Sequence, residues 1–304
     1  MSNTLELIDT LPNVKANNIQ IEYEMFGDPI SPHLLLVMGM SEQMISWDEE
    51  FCKILVERGF HVIRFDNRDA GLSTKIDEAG VPDVMKAVNE LMGGKPVESP
   101  YTLYDMADDA IGLLDALGIE KTHVCGLSMG AMIAQILAAK HPDRVLSLVS
   151  ITGSSGNPAL PLPKEEVTPL LFAPLPEERE PFIEESIKRW RALSGSKFEI
   201  DEDQLRKIAA MTYDRCMYPQ GAVRQLIAIL ATGNRLDELA TIKAPTIVIH
   251  GTEDPINSVQ AGKEVAGAIP DAELMLVEGM GHTFLASMWS MIVDAIANNA
   301  TRAQ

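Results

Sequence analysis

The chain has 304 residues, 46% of them hydrophobic and 23% charged, which is enough to bury a large core in one or two domains and too apolar for extended disorder. A net charge of −19, from 44 acidic against 25 basic residues, argues against nucleic acid or an anionic membrane as partner, since an acidic protein neutralises neither. Three cysteines, Cys52, Cys125 and Cys216, are too few and too scattered for a disulfide framework, so a reducing, cytoplasmic location is expected.

Met1 to Thr10 lacks the basic-then-apolar pattern of a secretory signal, and no apolar run reaches membrane-spanning length. Ile19, Ile21, Tyr23 and Met25 alternate with polar neighbours, which predicts a half-exposed antiparallel edge strand closed by Gly27-Asp28-Pro29. His33 to Met38 is a continuous apolar run of the kind central strands show. A helix is expected over Trp47–Glu57, a strand over His61–Phe65, and a turn-rich loop from Asp66 to Ser73. Val81 to Pro100, broken by Gly and Pro, reads as a surface excursion, and Tyr104–Leu117 as a helix stopped by Gly118.

A short strand ending in Val124 and Cys125 then meets Gly126-Leu-Ser128-Met-Gly130, followed by Met129, Met132, Ile133, Ile136 and Leu137 at helical spacing. This is the G-x-S-x-G pattern of a nucleophile elbow, in which a serine is exposed on a strained strand-to-helix turn. After a strand over Arg144–Ile151 the composition changes: seven of the 18 prolines lie between Pro158 and Pro181, and Phe182 to Ala231 is helical in pattern. Residues 154–236 are therefore expected to form a helical cap, with 1–153 and 237–304 as the core domain. The core resumes with a strand at Pro245–His250, a helix at Val259–Ala268, a strand at Ala272–Val277 and a closing helix at Ala286–Asn298. Strands alternating with helices predict a mostly parallel sheet covered on both faces.

A serine hydroxyl attacks well only when a base takes its proton, and the base needs a carboxylate to fix its tautomer. Of six histidines, His33, His61, His123 and His250 fall in or beside strands and His141 precedes a proline; His282 alone sits in a Gly-rich loop after a strand. Asp254 follows the preceding strand, with Glu253 and Glu278 as competing acids. Ser128, His282 and Asp254 are thus the expected nucleophile, base and orienting acid. The oxyanion formed on attack needs backbone donors, assigned to the N–H groups of Met129 and Met40. Met44, Trp47, Trp190 and Phe284 are expected to line an apolar pocket. No H-E-x-x-H, C-x-x-C or acidic calcium loop is present, so no metal site is expected, and no G-x-G-x-x-G opens a helix after the first parallel strand.

These residues carry a resemblance. Gly126 to Gly130, Asp254 and Gly281-His282 resemble the α/β-hydrolase fold, in which serine, acid and histidine follow in that order and a helical cap is inserted after the sixth strand. The loop Asp66-Asn-Arg-Asp-Ala-Gly-Leu-Ser73 is similar to the family's Asp-x-Arg-Gly-x-Gly-x-Ser turn, departing at Asp69 and Ala70. Leu34 to Gly39, His61 to Asp66, Gly126 to Ala131 and Gly279 to His282 resemble the aclacinomycin methylesterase group, whereas the cap matches chiefly at Lys188 to Gly195. The resemblance implies a cofactor-independent serine hydrolase acting on a small-molecule carboxylic ester through an acyl-enzyme. An anthracycline substrate does not carry over, and a homodimer stays open. The alternatives are a carbon–carbon bond hydrolase or perhydrolase on the same three residues, or a ligand-binding protein that turns over slowly.

Overall fold

The computed structural model describes residues 12–173 and 175–303; Met1 to Thr10, the stretch read for a signal, lies outside them. The first half comprises β1 (Asn13–Ala16), β2 (Ile19–Phe26), β3 (His33–Val37), α1 (Glu49–Glu57), β4 (His61–Phe65), α2 (Val84–Met92), α3 (Leu103–Ala116), β5 (Thr122–Leu127), α4 (Met129–Lys140) and β6 (Val145–Ile151). Five helices follow without a strand: α5 (Thr168–Phe172), α6 (Arg179–Leu193), α7 (Glu202–Arg215), α8 (Pro219–Thr232) and α9 (Leu236–Leu239). The chain ends with β7 (Thr246–Gly251), α10 (Val259–Ala268), β8 (Glu273–Val277) and α11 (Trp289–Thr301).

The strands form one sheet in the order β1-β2-β4-β3-β5-β6-β7-β8, antiparallel at β1/β2 and β2/β4 and parallel thereafter. Period-two alternation sends Leu35 and Val37 of β3 into a core with α3 and α4, while Leu34 and Leu36 enter a second core with α1 and α11. Both faces are covered, so the strand reads as unbroken apolar sequence rather than alternating polar and apolar residues. Among the described residues no helix is long and apolar enough to cross a membrane.

Two expectations are corrected, on the edge strand and on Trp47, and two are made finer. The strand from Ile19 is not the edge: β1 pairs outside it, Ala16 opposite Ile19. Asn17 and Asn18 hold φ at 45° and 64°, the positive pair that a two-residue hairpin turn requires and that asparagine tolerates. The excursion after Val81 contains α2, whose start is capped by the Asp83 carboxylate accepting from the Lys86 N–H. Trp47 lies outside α1, because Asp48 caps that helix by accepting from the Glu50 N–H at 2.8 Å and residues Met44–Ser46 form a separate 3-10 turn. The helical run from Phe182 is three helices, interrupted at 194–201 and 216–218.

His33 and His61, paired in register at the start of β3 and β4, set their Nδ1 atoms 3.0 Å apart, so one ring donates and the other accepts. Two imidazolium rings would point N–H at N–H. Burial lowers both affinities for a proton, and His33 lowers that of His61 further. The unfolded chain protonates near the ordinary 6.5 while the folded pair resists, so stability is full above about pH 6.5 and declines as pH falls through that region. The loss of thermal midpoint between about pH 7.5 and about pH 5.5 should be smaller in His61→Gln than in the parent; equal losses would contradict this role.

Candidate active site

β5 runs straight into α4 through Ser128, whose backbone is held at φ 55° and ψ −117°, a region L-residues seldom occupy. The Ser128 N–H donates to the Ile151 carbonyl at 2.9 Å, anchoring the turn to β6. A Cβ on Gly126 would lie 2.2 Å from the Gly130 carbonyl oxygen, and one on Gly130 would lie 2.1 Å from that of Val37. Only hydrogen at both positions lets strand and helix approach this closely. α4 is buried from Met129 to Ala138 and apolar there except for Gln135, which donates to Ser150 Oγ at 3.0 Å, so the turn rests on a rigid support.

The turn delivers the serine hydroxyl to an imidazole supplied by the loop after β8. Ser128 Oγ is 2.8 Å from His282 Nε2, and His282 Nδ1 is 2.7 Å from Asp254 Oδ2. A carboxylate only accepts, so Nδ1 carries hydrogen and Nε2 presents a lone pair to the hydroxyl. Asp254 is fixed in turn: its Oδ1 accepts from the Ile256 and Asn257 N–H groups, each at 2.9 Å. His250, entirely buried, donates from Nε2 to the Asn257 carbonyl at 2.8 Å and so braces the same loop. Burial holds its proton affinity below the ordinary histidine range, leaving it neutral beside the acid.

The competing acids are engaged elsewhere. Glu253 accepts from the Ser196 N–H at 2.8 Å and from its hydroxyl at 2.7 Å, and Glu278 is exposed. The loop after β3 lies against the nucleophile: a Cβ on Gly39 would be 3.4 Å from that of Ser128. Neither the Met40 nor the Met129 N–H donates to the backbone of a described residue. The site therefore brings Ser128 Oγ, His282 and Asp254 into one hydrogen-bonded chain.

Above Ser128 lies a cavity of about 250 Å³ between the sheet edge and α6 and α7. Trp190 and Phe284 line it. Met44 and Trp47 do not; both are fully buried, with Trp47 stacked on Phe51 and edge-on to Phe284. The 3-10 turn rotates them into the core behind the cavity wall. Lining residues missed from the sequence include Phe182, Ser186, Leu193, Leu205 and Thr212. Their spacing along α6 and α7 is that of one helical face, which is the signal that could have found them.

The loop from Asp66 to Ser73 ties these helices to the core. Asp69 takes φ 64° where related turns have glycine, and its side chain meets Arg224 of α8 at 2.8 Å through both oxygens, with the pair wholly buried. Arg68 pairs with Asp109 of α3 at 2.6 Å, and Arg215 of α7 with Asp66 at 2.7 Å. The departure at Asp69 is thus matched by a cation arriving from the inserted helices.

Residues 32–287 match the family described as the alpha/beta hydrolase fold. The chain is 29% identical to a rhodomycin D methylesterase of Streptomyces peucetius, over 93% of this chain and 95% of that protein, in line with the methylesterase resemblance carried by the motifs. It is 30% identical to a 2-hydroxy-6-oxononadienedioate/2-hydroxy-6-oxononatrienedioate hydrolase of Cupriavidus pinatubonensis, over 62% of this chain and 66% of that one. A thermophilic esterase from Thermogutta terrifontis superposes with a TM-score of 0.70 at 23% identity, covering 97% of this chain and 99% of the other. With the family match spanning most of its length, the chain belongs to the alpha/beta hydrolase fold family.

Proposed function

We propose that the protein is a serine hydrolase of carboxylic esters, working through an acyl-enzyme on Ser128. His282 Nε2 takes the hydroxyl proton as Oγ attacks the ester carbonyl. Asp254 keeps His282 in the attacking tautomer and stabilises the imidazolium. The Met40 and Met129 N–H groups receive the oxyanion, His282 returns the proton to the departing alcohol, and water repeats the sequence to release the acid. The observation that carries this reading is the unbroken chain from Ser128 Oγ through His282 to Asp254, with contacts of 2.8 and 2.7 Å at the foot of the cavity. Residues 154–236 serve as the cap that shapes this cavity and keeps water from it.

A carbon–carbon bond hydrolase on the same three residues is the alternative, and product analysis with ester and diketone substrates separates the two.

Steady multiple turnover of simple p-nitrophenyl esters tests the proposal, because a slow ligand-binding protein would stop after one equivalent. The rate should fall in acid, since a protonated His282 cannot accept the serine proton. Cleavage of diketones with no ester hydrolysis, or a rate flat from acid to neutral pH, would count against it.

A further inference from the structure

Polar side chains interrupt the mostly apolar walls of the cavity over Ser128, Ser186 and Arg189 on α6 among them. Glu42, two residues beyond the Met40 donor, lines it together with Ser46 and, from α7, Thr212. These three are held as a unit. Gln43 Nε2 donates to the carbonyls of Thr212 and Cys216, each at 2.8 Å, which seats the end of α7 over the 3-10 turn. Ser46 Oγ donates to Glu42 Oε2 at 2.5 Å.

Glu42 differs from the buried aspartates near the site. Asp66, Asp69 and Asp109 each face an arginine and Asp254 a histidine. Glu42 has no charged partner among the described residues, and its one donor is Ser46. Burial pushes its carboxyl above the usual range. Thr212 Oγ1, on the same stretch of wall, is buried with no hydrogen-bond partner. A carboxyl with no charged partner and a single donor, beside a buried hydroxyl with no partner, is unfavourable in the protein alone, and both gain from a ligand that brings donors.

Resting on the ester-hydrolase reading, we infer that Glu42, Ser46 and Thr212 form a subsite for a hydrogen-bond donor carried by the substrate. The ester then bears a hydroxyl or a protonated amine away from its scissile carbonyl, which donates to the Glu42 carboxyl while Thr212 Oγ1 completes the contact. The rest of the cavity takes the apolar body of the molecule.

The test compares kcat/KM for a plain alkyl p-nitrophenyl ester with that for the same ester carrying a terminal hydroxyl or a terminal ammonium, and for a second series with the group on the alcohol portion. The parent enzyme should prefer a donor-bearing ester in one series by about 10-fold or more, the range of a hydrogen bond to a charged group. Glu42→Leu should bring that ratio close to one. Glu42→Gln distinguishes the donors: its amide oxygen still accepts from a hydroxyl, so a hydroxyl preference persists, whereas an ammonium preference is lost with the charge. Thr212→Val, nearly isosteric, should reduce the same ratio and serves if Glu42→Leu does not fold. Turnover of plain esters with no donor preference in either series, or a preference that survives Glu42→Leu, overturns the subsite. Failure of the parent to turn over any ester in either series would overturn the ester reading itself.

Discussion

Ser128→Ala should lower kcat/KM for ester hydrolysis by about 10⁴ to 10⁶-fold, the range seen when a serine nucleophile of this type is removed, while far-UV and near-UV circular dichroism stay unchanged. The small residual rate would come from the Met40 and Met129 donors and from substrate binding, which the substitution leaves in place. The strained backbone makes a second outcome specific to this turn. Alanine inherits the φ of 55°, whereas glycine adopts it freely, so Ser128→Gly should be inactive yet more stable than Ser128→Ala by about 1–3 kcal/mol. Equal stability of the two variants would mean that the elbow stores no strain. Substantial activity in pure Ser128→Ala would remove the serine from the mechanism.

Arg224→Leu should cost about 3–5 kcal/mol, because it leaves the Asp69 carboxylate buried without its counter-charge; the thermal midpoint should fall by on the order of 10 °C. The site offers little compensation. Asp69 would keep only the Tyr101 hydroxyl at 2.7 Å and the Ile76 N–H at 2.8 Å. Adding Asp69→Gly should recover much of the loss, since glycine removes the orphaned charge and suits the φ of 64°. Calorimetry of the single and double variants decides this. No recovery in the double variant would show that Arg224 acts through packing rather than through the ion pair.

The parts of this molecule legible in its sequence are those set by local rules. Ser128 was visible because Gly126 and Gly130 must flank it for steric reasons that need no knowledge of the rest of the chain. His282 and Asp254 were visible because each follows a recognisable strand, and strands of a parallel sheet end on one edge. β3 was visible because a run of Leu with no polar break fits a strand covered on both faces. The hairpin at Asn17-Asn18 was missed, although two asparagines are a turn signal, because β1 is four residues long and only Ala16 in it is buried. Met44 and Trp47 were misplaced because their side-chain direction depends on a 3-10 turn that sequence spacing does not announce. The partner of Asp69 was beyond reach: the residue stood out as a departure from the family turn, but Arg224 lies 155 positions away, and only the folded insertion brings it in. The cavity face of α6 and α7 shares that origin, since which stripe of a helix looks at Ser128 is decided by packing of 154–236 on the core.

Labelling with a fluorophosphonate tests the central claim most directly, because the reagent needs an activated serine and no knowledge of the natural substrate. Peptide mass analysis should place a single, near-stoichiometric adduct on Ser128, absent in Ser128→Ala and greatly slowed in His282→Ala. An adduct on another residue, or an enzyme that hydrolyses esters while Ser128 stays unlabelled, would contradict the account.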